Sequence, residues 1–110
     1  MKVGIIRCRQ TEDLCPGTTD FLMAAPGQGR FLKKLGACEV VGFVSCGGCP
    51  GKRAVARAKM LIDRGAQAVA LASCIAKGTP IGFPCPNREA MLNAIRAKLG
   101  PDAVILDYTH

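Results

Sequence analysis

The spacing of seven cysteines is the first sign of chemistry in this chain of 110 residues. Cys46 and Cys49 are separated by two glycines. A Cys-x-x-Cys pair can hold one metal ion or close a redox disulfide. Thiolates are also the ligands that zinc and iron–sulfur clusters take in proteins. The cysteines therefore predict either metal binding or thiol redox chemistry.

The predicted elements around these cysteines alternate between strands and helices. Short apolar runs predict strands at 2–7, 38–45, 67–72 and 103–107. Helical spacing predicts one helix at 52–64, another after Asn87, and a broken helix between the first two strands. In that broken helix, Phe21, Leu22, Ala24 and Ala25 form a short apolar face, and Phe31 and Leu32 resume the pattern. We expect Pro50 at the first position of the helix that follows the glycine pair.

The alternation predicts a single α/β domain over residues 1–110. Right-handed crossovers would give a parallel sheet that is covered by helices on both faces. The expected fold is a small flavodoxin-like three-layer sandwich, with four parallel strands in the order 2-1-3-4. In such folds, ligands bind beyond the carboxyl ends of the strands, where the direction of winding reverses.

Six of the cysteines are predicted at this carboxyl edge of the sheet. Neighbouring strands lie about 5 Å apart, and two sulfurs on one zinc ion lie under about 4.6 Å apart. We therefore expect a metal site whose main ligands are Cys8, Cys46, Cys49 and Cys74. The alternates, or the ligands of a second ion, are Cys15, Cys85 and His110. Cys38 enters a strand at the opposite edge, so we predict a structural role for it.

The Cys46–Cys49 pair also fits a thiol–disulfide redox protein. A Cys-x-x-Cys between a strand and a helix of a cytosolic α/β chain is the thioredoxin-like arrangement. Cys46, which we expect to be exposed, would attack and Cys49 would resolve. Redox chemistry needs only this pair, whereas metal binding should be lost when Cys8 or Cys74 is replaced by serine. A phosphate site at the glycine turn is a weaker alternative, since neither a P-loop nor GxGxxG is present.

The formal net charge of +7 bears on possible partners. One tyrosine, no tryptophan and no basic run do not favour nucleic acid. Many of the bases instead stand beside cysteines, where cations stabilise thiolates.

No apolar run approaches the ~20 residues of a membrane helix and no signal peptide is recognised, so we expect a cytoplasmic protein with no membrane partner. The sequence names no partner protein or small molecule.

The segment Cys46-Gly47-Gly48-Cys49-Pro50-Gly51 resembles the CGGC-domain family of small prokaryotic proteins. The likeness extends over nearly the whole chain, through Val3–Cys8, Cys15-Pro16-Gly17, Ser73-Cys74-Ile75, Phe83-Pro84-Cys85-Pro86 and Thr109-His110. The resemblance implies a metal-binding domain, with zinc suggested by its cysteines and histidines. It implies no particular reaction.

Overall fold

The computed structural model describes residues 1–29 and 35–110. Its elements, in chain order, are β1 (Lys2–Arg7), a 3-10 turn (Arg9–Thr11), α1 (Thr18–Ala24), β2 (Glu39–Ser45), α2 (Lys52–Asp63), β3 (Ala68–Leu71), α3 (Ser73–Ala76), α4 (Arg88–Leu99) and β4 (Val104–Leu106). The predicted resumption of the broken helix at Phe31 and Leu32 lies outside the described residues. No helix in the described ranges is long and apolar enough to cross a membrane.

The four strands form one parallel sheet in the order β2-β1-β3-β4. This confirms the predicted α/β fold and its strand order. Val3, Ile5 and Ile6 of the central strand β1 are fully buried, as are all four residues of β3. Strands that are covered on both faces carry such continuous apolar runs, which is why these two strands could be predicted.

The side chains of β2 show that helices cover both faces of the sheet. A Cβ on Gly42 would meet the side chain of Leu61 from α2. The ring of the next residue, Phe43, packs against Phe21 of α1 with the two centroids 5.0 Å apart. Successive side chains of a strand point to opposite faces, so α2 and α1 lie on opposite sides. The predicted apolar face of α4 is buried as expected, through Met91, Leu92 and Ile95.

Two local predictions were wrong. The buried residues of α1 are Asp20 and Ala24, whereas Phe21 is 41% exposed beside Phe43 and Leu22 is 64% exposed. Pro50 is not the first residue of α2, because the helix begins at Lys52 with Gly51 as its cap. Gly51 is in the left-handed conformation, and a Cβ there would lie 2.8 Å from Cε of Met91. A residue in this conformation cannot belong to a right-handed helix, so α2 begins after Gly51, and glycine adopts the conformation without steric cost.

Candidate functional site

Three cysteines follow the ends of three adjacent strands. Cys8 comes directly after β1, Cys46 directly after β2, and Cys74 lies in α3 just beyond β3. The backbone N–H of Cys46 donates to the carbonyl of Arg7 at 2.8 Å, which continues the β1–β2 pairing up to the thiols. The N–H of Cys85 donates to the carbonyl of Ile75 at 2.9 Å and so holds the following loop against α3.

Cys74 is tied directly to Cys8. The N–H of Cys8 donates to the sulfur of Cys74 at 3.2 Å. The hydroxyl of Thr11 donates to the carbonyl of Cys8 at 2.9 Å, and the same side chain lowers the pKa of Cys74. Thr11 is fully buried. The 3-10 turn after β1 therefore folds back over the two thiols, which the sequence did not indicate.

The pKa values of both thiols are raised by their surroundings. Burial raises the pKa of the Cys8 thiol, although a hydrogen bond from the backbone of Gln10 lowers it in part. Negative charge on Cys74, Cys46 or Cys85 raises the pKa of Cys8 further. Burial likewise raises the pKa of Cys74, against the lowering effect of its hydrogen bonds. Four thiols from different parts of the chain are therefore close enough for their charges to interact.

A buried cation accompanies this cluster. Arg7 is only 8% exposed, although it carries a full charge. Its guanidinium donates to the Thr11 hydroxyl at 2.9 Å and to the Cys8 carbonyl at 3.3 Å. Its central carbon lies 5.9 Å from the centroid of the Phe43 ring. The positive charge of Arg7 lowers the pKa of Cys74. In the sequence Arg7 is one base among several beside a cysteine, and its burial became visible only in the fold.

The two cysteines of the Cys-Gly-Gly-Cys segment differ sharply in exposure. Cys46 is buried and Cys49 is exposed. The expectation that Cys46 is the exposed thiol was therefore wrong. Cys46 follows the last residue of β2 and stays in the interior of the fold. Gly47 and Gly48, both at positive φ, then turn the chain outward.

Cys49 borders a polar groove of about 590 Å³. One wall carries the guanidinium of Arg9, which lies over Gly48, and Glu12 and Asp13 also line the groove. Behind the loop, Arg57 donates to the carbonyl and hydroxyl oxygens of Ser45 at 3.0 and 2.9 Å. Cys49 thus faces solvent in a charged setting, whereas Cys46 faces the thiol cluster.

The remaining predicted residues lie elsewhere. Cys15 and His110 line a pocket next to the thiol cluster, which Cys74 and Asp20 also line. The Nε2 atom of His110 is 3.5 Å from Oδ1 of Asp20. Cys38 is buried at the amino-terminal edge, where its thiol donates to the carbonyl of Gly36 at 3.2 Å. Burial raises the pKa of Cys38.

The clustered thiols are not arranged as a formed metal site. Within residues 1–29 and 35–110, no group of three or more His, Cys, Asp or Glu side chains has the spacing needed to hold a metal ion. The thiols whose charges act on Cys8 do not form such a group. Ligation by these sulfurs would therefore require their side chains to move closer together.

Comparison with known sequences places the chain in a family. The sequence model of the CGGC domain matches residues 2–110. The chain belongs to the CGGC-domain family. An uncharacterized protein of Methanocaldococcus jannaschii is 38% identical over 80 residues, a match that covers 67% of this chain. The matched region spans 62% of the length of that relative. No solved structure matches this CGGC domain significantly.

Proposed function

We propose that this CGGC domain binds a thiophilic metal, either zinc or an iron–sulfur cluster, through Cys8, Cys46, Cys74 and Cys85. The observation that carries the proposal is that Cys8, Cys46 and Cys74 follow three adjacent strands, with the Cys74 sulfur 3.2 Å from the N–H of Cys8. In agreement with this placement, negative charge on Cys74, Cys46 and Cys85 raises the pKa of the Cys8 thiol. Four sulfurs that converge in one region suit metals with thiolate ligation.

The donor chemistry fits such a metal, and the fold supplies a counter-charge. Metal binding must displace protons from thiols whose pKa is raised by burial. The buried guanidinium of Arg7 offsets part of the negative charge that the thiolates would acquire. A zinc ion with four thiolates would have a structural role, whereas an iron–sulfur cluster would carry electrons.

The proposed ligand set differs from the set predicted from the sequence. Cys85 takes the place of Cys49, because Cys85 is among the thiols that act on Cys8 and Cys49 is exposed in a groove. Cys15 and His110 line the neighbouring pocket and are not among the groups that act on the Cys8 thiol, so they are not part of this set.

The test is the metal and sulfide content of anaerobically purified protein, with its absorption spectrum and free-thiol count. We expect about one ion or cluster per chain, and loss of it in Cys8→Ser and Cys85→Ser. Cys38→Ser is the matched control, since Cys38 is a buried cysteine at the opposite edge of the sheet. Wild-type protein without metal or sulfide after anaerobic purification and reconstitution would contradict the proposal, as would equal loss of metal in Cys38→Ser.

A second candidate function is thiol–disulfide exchange by Cys49 and Cys46. It is favoured by the contrast between an exposed and a buried thiol two residues apart. The Cys49 thiolate would attack a substrate disulfide, form a mixed disulfide and release one substrate thiolate. Cys46 would then attack the Cys49 sulfur and release the second substrate thiolate. The substrate gains the two electrons that the protein loses in forming the Cys46–Cys49 disulfide.

The two candidates differ in the cysteines that they need. Reduction of a model disulfide should be lost in Cys49→Ser and retained in Cys8→Ser if exchange is the function. Metal content should show the reverse pattern, with loss in Cys8→Ser and retention in Cys49→Ser. The same pair of variants therefore separates the two functions.

A further inference from the structure

A pocket of about 280 Å³ opens at the carboxyl edge of the sheet, beside the thiol cluster. One side is formed by the segment that leaves β1, including Cys15 and Thr18, and the other by Thr79 and Pro80 in the loop beyond β3. The chain runs from β1 to β2 on one side of β1, while β3 pairs on the other side. The pocket therefore lies where the direction of winding reverses, which is the usual ligand position in such sheets.

A buried carboxylate lies in this pocket. Asp20 is only 5% exposed and lines the cavity. Its Oδ1 atom accepts a hydrogen bond from the hydroxyl of Thr109. The Nε2 atom of His110 lies 3.5 Å from the same oxygen. These contacts stabilise the buried carboxylate, and its place in the wall of the pocket puts it within reach of a cationic ligand.

The surroundings hold Asp20 firmly in place. Thr109 is fully buried, and its hydroxyl accepts from the N–H of Ser73 at 3.1 Å. The Ser73 hydroxyl in turn accepts from the N–H groups of Thr109 and His110 at 3.3 and 2.9 Å. Asp20 therefore lies on a network that joins α1 to α3 and to the segment after β4. A group positioned in this way is suited to orient a ligand.

The charge of the pocket is opposite to that of the chain. The formal net charge is +7, yet no lysine or arginine is found among the described residues that line this cavity. Asp20 is the one acidic side chain in its wall. Leu14, Pro16 and Pro80 add apolar surface. Such a pocket favours a cation over an anion, because an anion would meet Asp20 with the His110 imidazole as the one basic side chain among the described lining residues.

We propose that this pocket binds a small organic amine, with its ammonium group on the carboxylate of Asp20 and its apolar body against the two prolines. Cys74 also lines the pocket, so a bound amine would lie beside the thiol cluster. This goes beyond the proposed metal binding and does not depend on it, since neither Asp20 nor the apolar wall belongs to the proposed ligand set.

The test is a titration of the ¹⁵N-labelled full chain, followed by NMR, with n-butylammonium, n-butyrate and 1-butanol. These probes share their apolar body and differ in charge. We expect n-butylammonium to shift the amide signals of residues 18–20, 79 and 109–110, and to bind at least tenfold more tightly than the other two. Metal content, measured on the same samples, reports separately on the thiol site.

Asp20→Asn should weaken amine binding at least tenfold, because the amide still accepts from Thr109 but carries no charge. Asp63→Asn is the matched control, since Asp63 is exposed on α2 and pairs with Lys59. If Asp20→Asn does not fold, Thr79→Phe replaces an exposed residue and should fill the pocket.

Equal binding of all three probes, or unchanged amine binding in the variants that fold, would overturn the proposal. So would shifts of these signals by zinc but not by the amine.

Discussion

The sulfur of Cys74 accepts a hydrogen bond from the backbone N–H of Cys8 at 3.2 Å, across 66 residues of sequence. This contact joins the ends of two neighbouring parallel strands through a side chain. It extends the sheet beyond the last backbone pair between β1 and β3, which is Ile6 with Leu71. The thiol is thus a part of the fold as well as a candidate ligand.

Cys74→Ala should destabilise the protein even when no metal is bound. The change leaves the buried N–H of Cys8 without an acceptor, which costs about 1–3 kcal/mol. Urea unfolding with reductant and chelator present measures this difference. Cys49→Ala is the control, because Cys49 is exposed and its loss should change stability by less than about 0.5 kcal/mol. Equal stability of the two variants would contradict this role for Cys74.

Cys49 should be the first thiol to react with iodoacetamide in the folded, reduced protein. It is exposed, whereas Cys8, Cys46 and Cys74 are buried. Mass spectrometry of peptides after short reaction times gives the order of labelling. Denatured protein serves as the control, since all seven cysteines should then react at similar rates. Labelling of Cys46 before Cys49 would mean that the loop opens in solution.

The stability of the metal-free protein should fall at alkaline pH. The pKa values of Cys8 and Cys74 are raised in the folded state by burial, while unfolded thiols titrate near 8.5. Below about pH 8.5 this contribution is fully present. As the pH rises further, the unfolded state loses its thiol protons first, so the free energy of unfolding decreases.

The variant that isolates this effect is Cys8→Ala, measured beside the wild type from pH 7 to 10. Its free energy of unfolding should fall less steeply above pH 8.5, because one raised thiol pKa has been removed. Urea unfolding with chelator and reductant at each pH provides the values. Identical slopes for the two proteins would show that Cys8 does not titrate differently in the folded and unfolded states.

Gly4→Ala should destabilise the sheet through a clash with α2. An added Cβ would lie 2.8 Å from Cδ1 of Leu61, and such overpacking costs about 1–3 kcal/mol. The cost should be much smaller in a Leu61→Ala background, where space is available. A double-mutant cycle by thermal or urea unfolding measures the coupling. Equal costs in both backgrounds would show that the helix moves aside without penalty.

The fold could be predicted from the sequence because local patterns determine it. The continuous apolar runs of β1 and β3 indicate strands that are covered on both faces, and right-handed crossovers then restrict the strand order. The placement of Cys8, Cys46 and Cys74 at one edge followed from that order. The match of residues 2–110 to the CGGC domain confirmed the family that these cysteines had indicated.

The details of the site depend on contacts that no local pattern contains. The exposures of Cys46 and Cys49 follow from the left-handed glycines between them and from a helix that starts only after Gly51. Asp20 is an acid in the first turn of α1, a position that the helix dipole alone would explain. Asp20 comes four residues before Ala24, so both lie on the same face of α1. This spacing could have indicated that Asp20 is buried together with Ala24. Its partner Thr109, however, is too distant in sequence to be inferred.

The contact between Asp20 and Thr109 joins α1 to the segment after β4, across 89 residues of sequence. The pocket wall at Asp20 therefore depends on β4 remaining in place. β4 has three residues and lies at the edge of the sheet, so it is a candidate for the first element to open in the native protein. Its opening would release Thr109 and dismantle the wall around Asp20 while β1 and β2 stay paired. Hydrogen exchange should then show faster exchange at Thr109 than at Ile5. Exchange at Thr109 would then report a local unfolding equilibrium of β4 that is distinct from the global unfolding of the sheet.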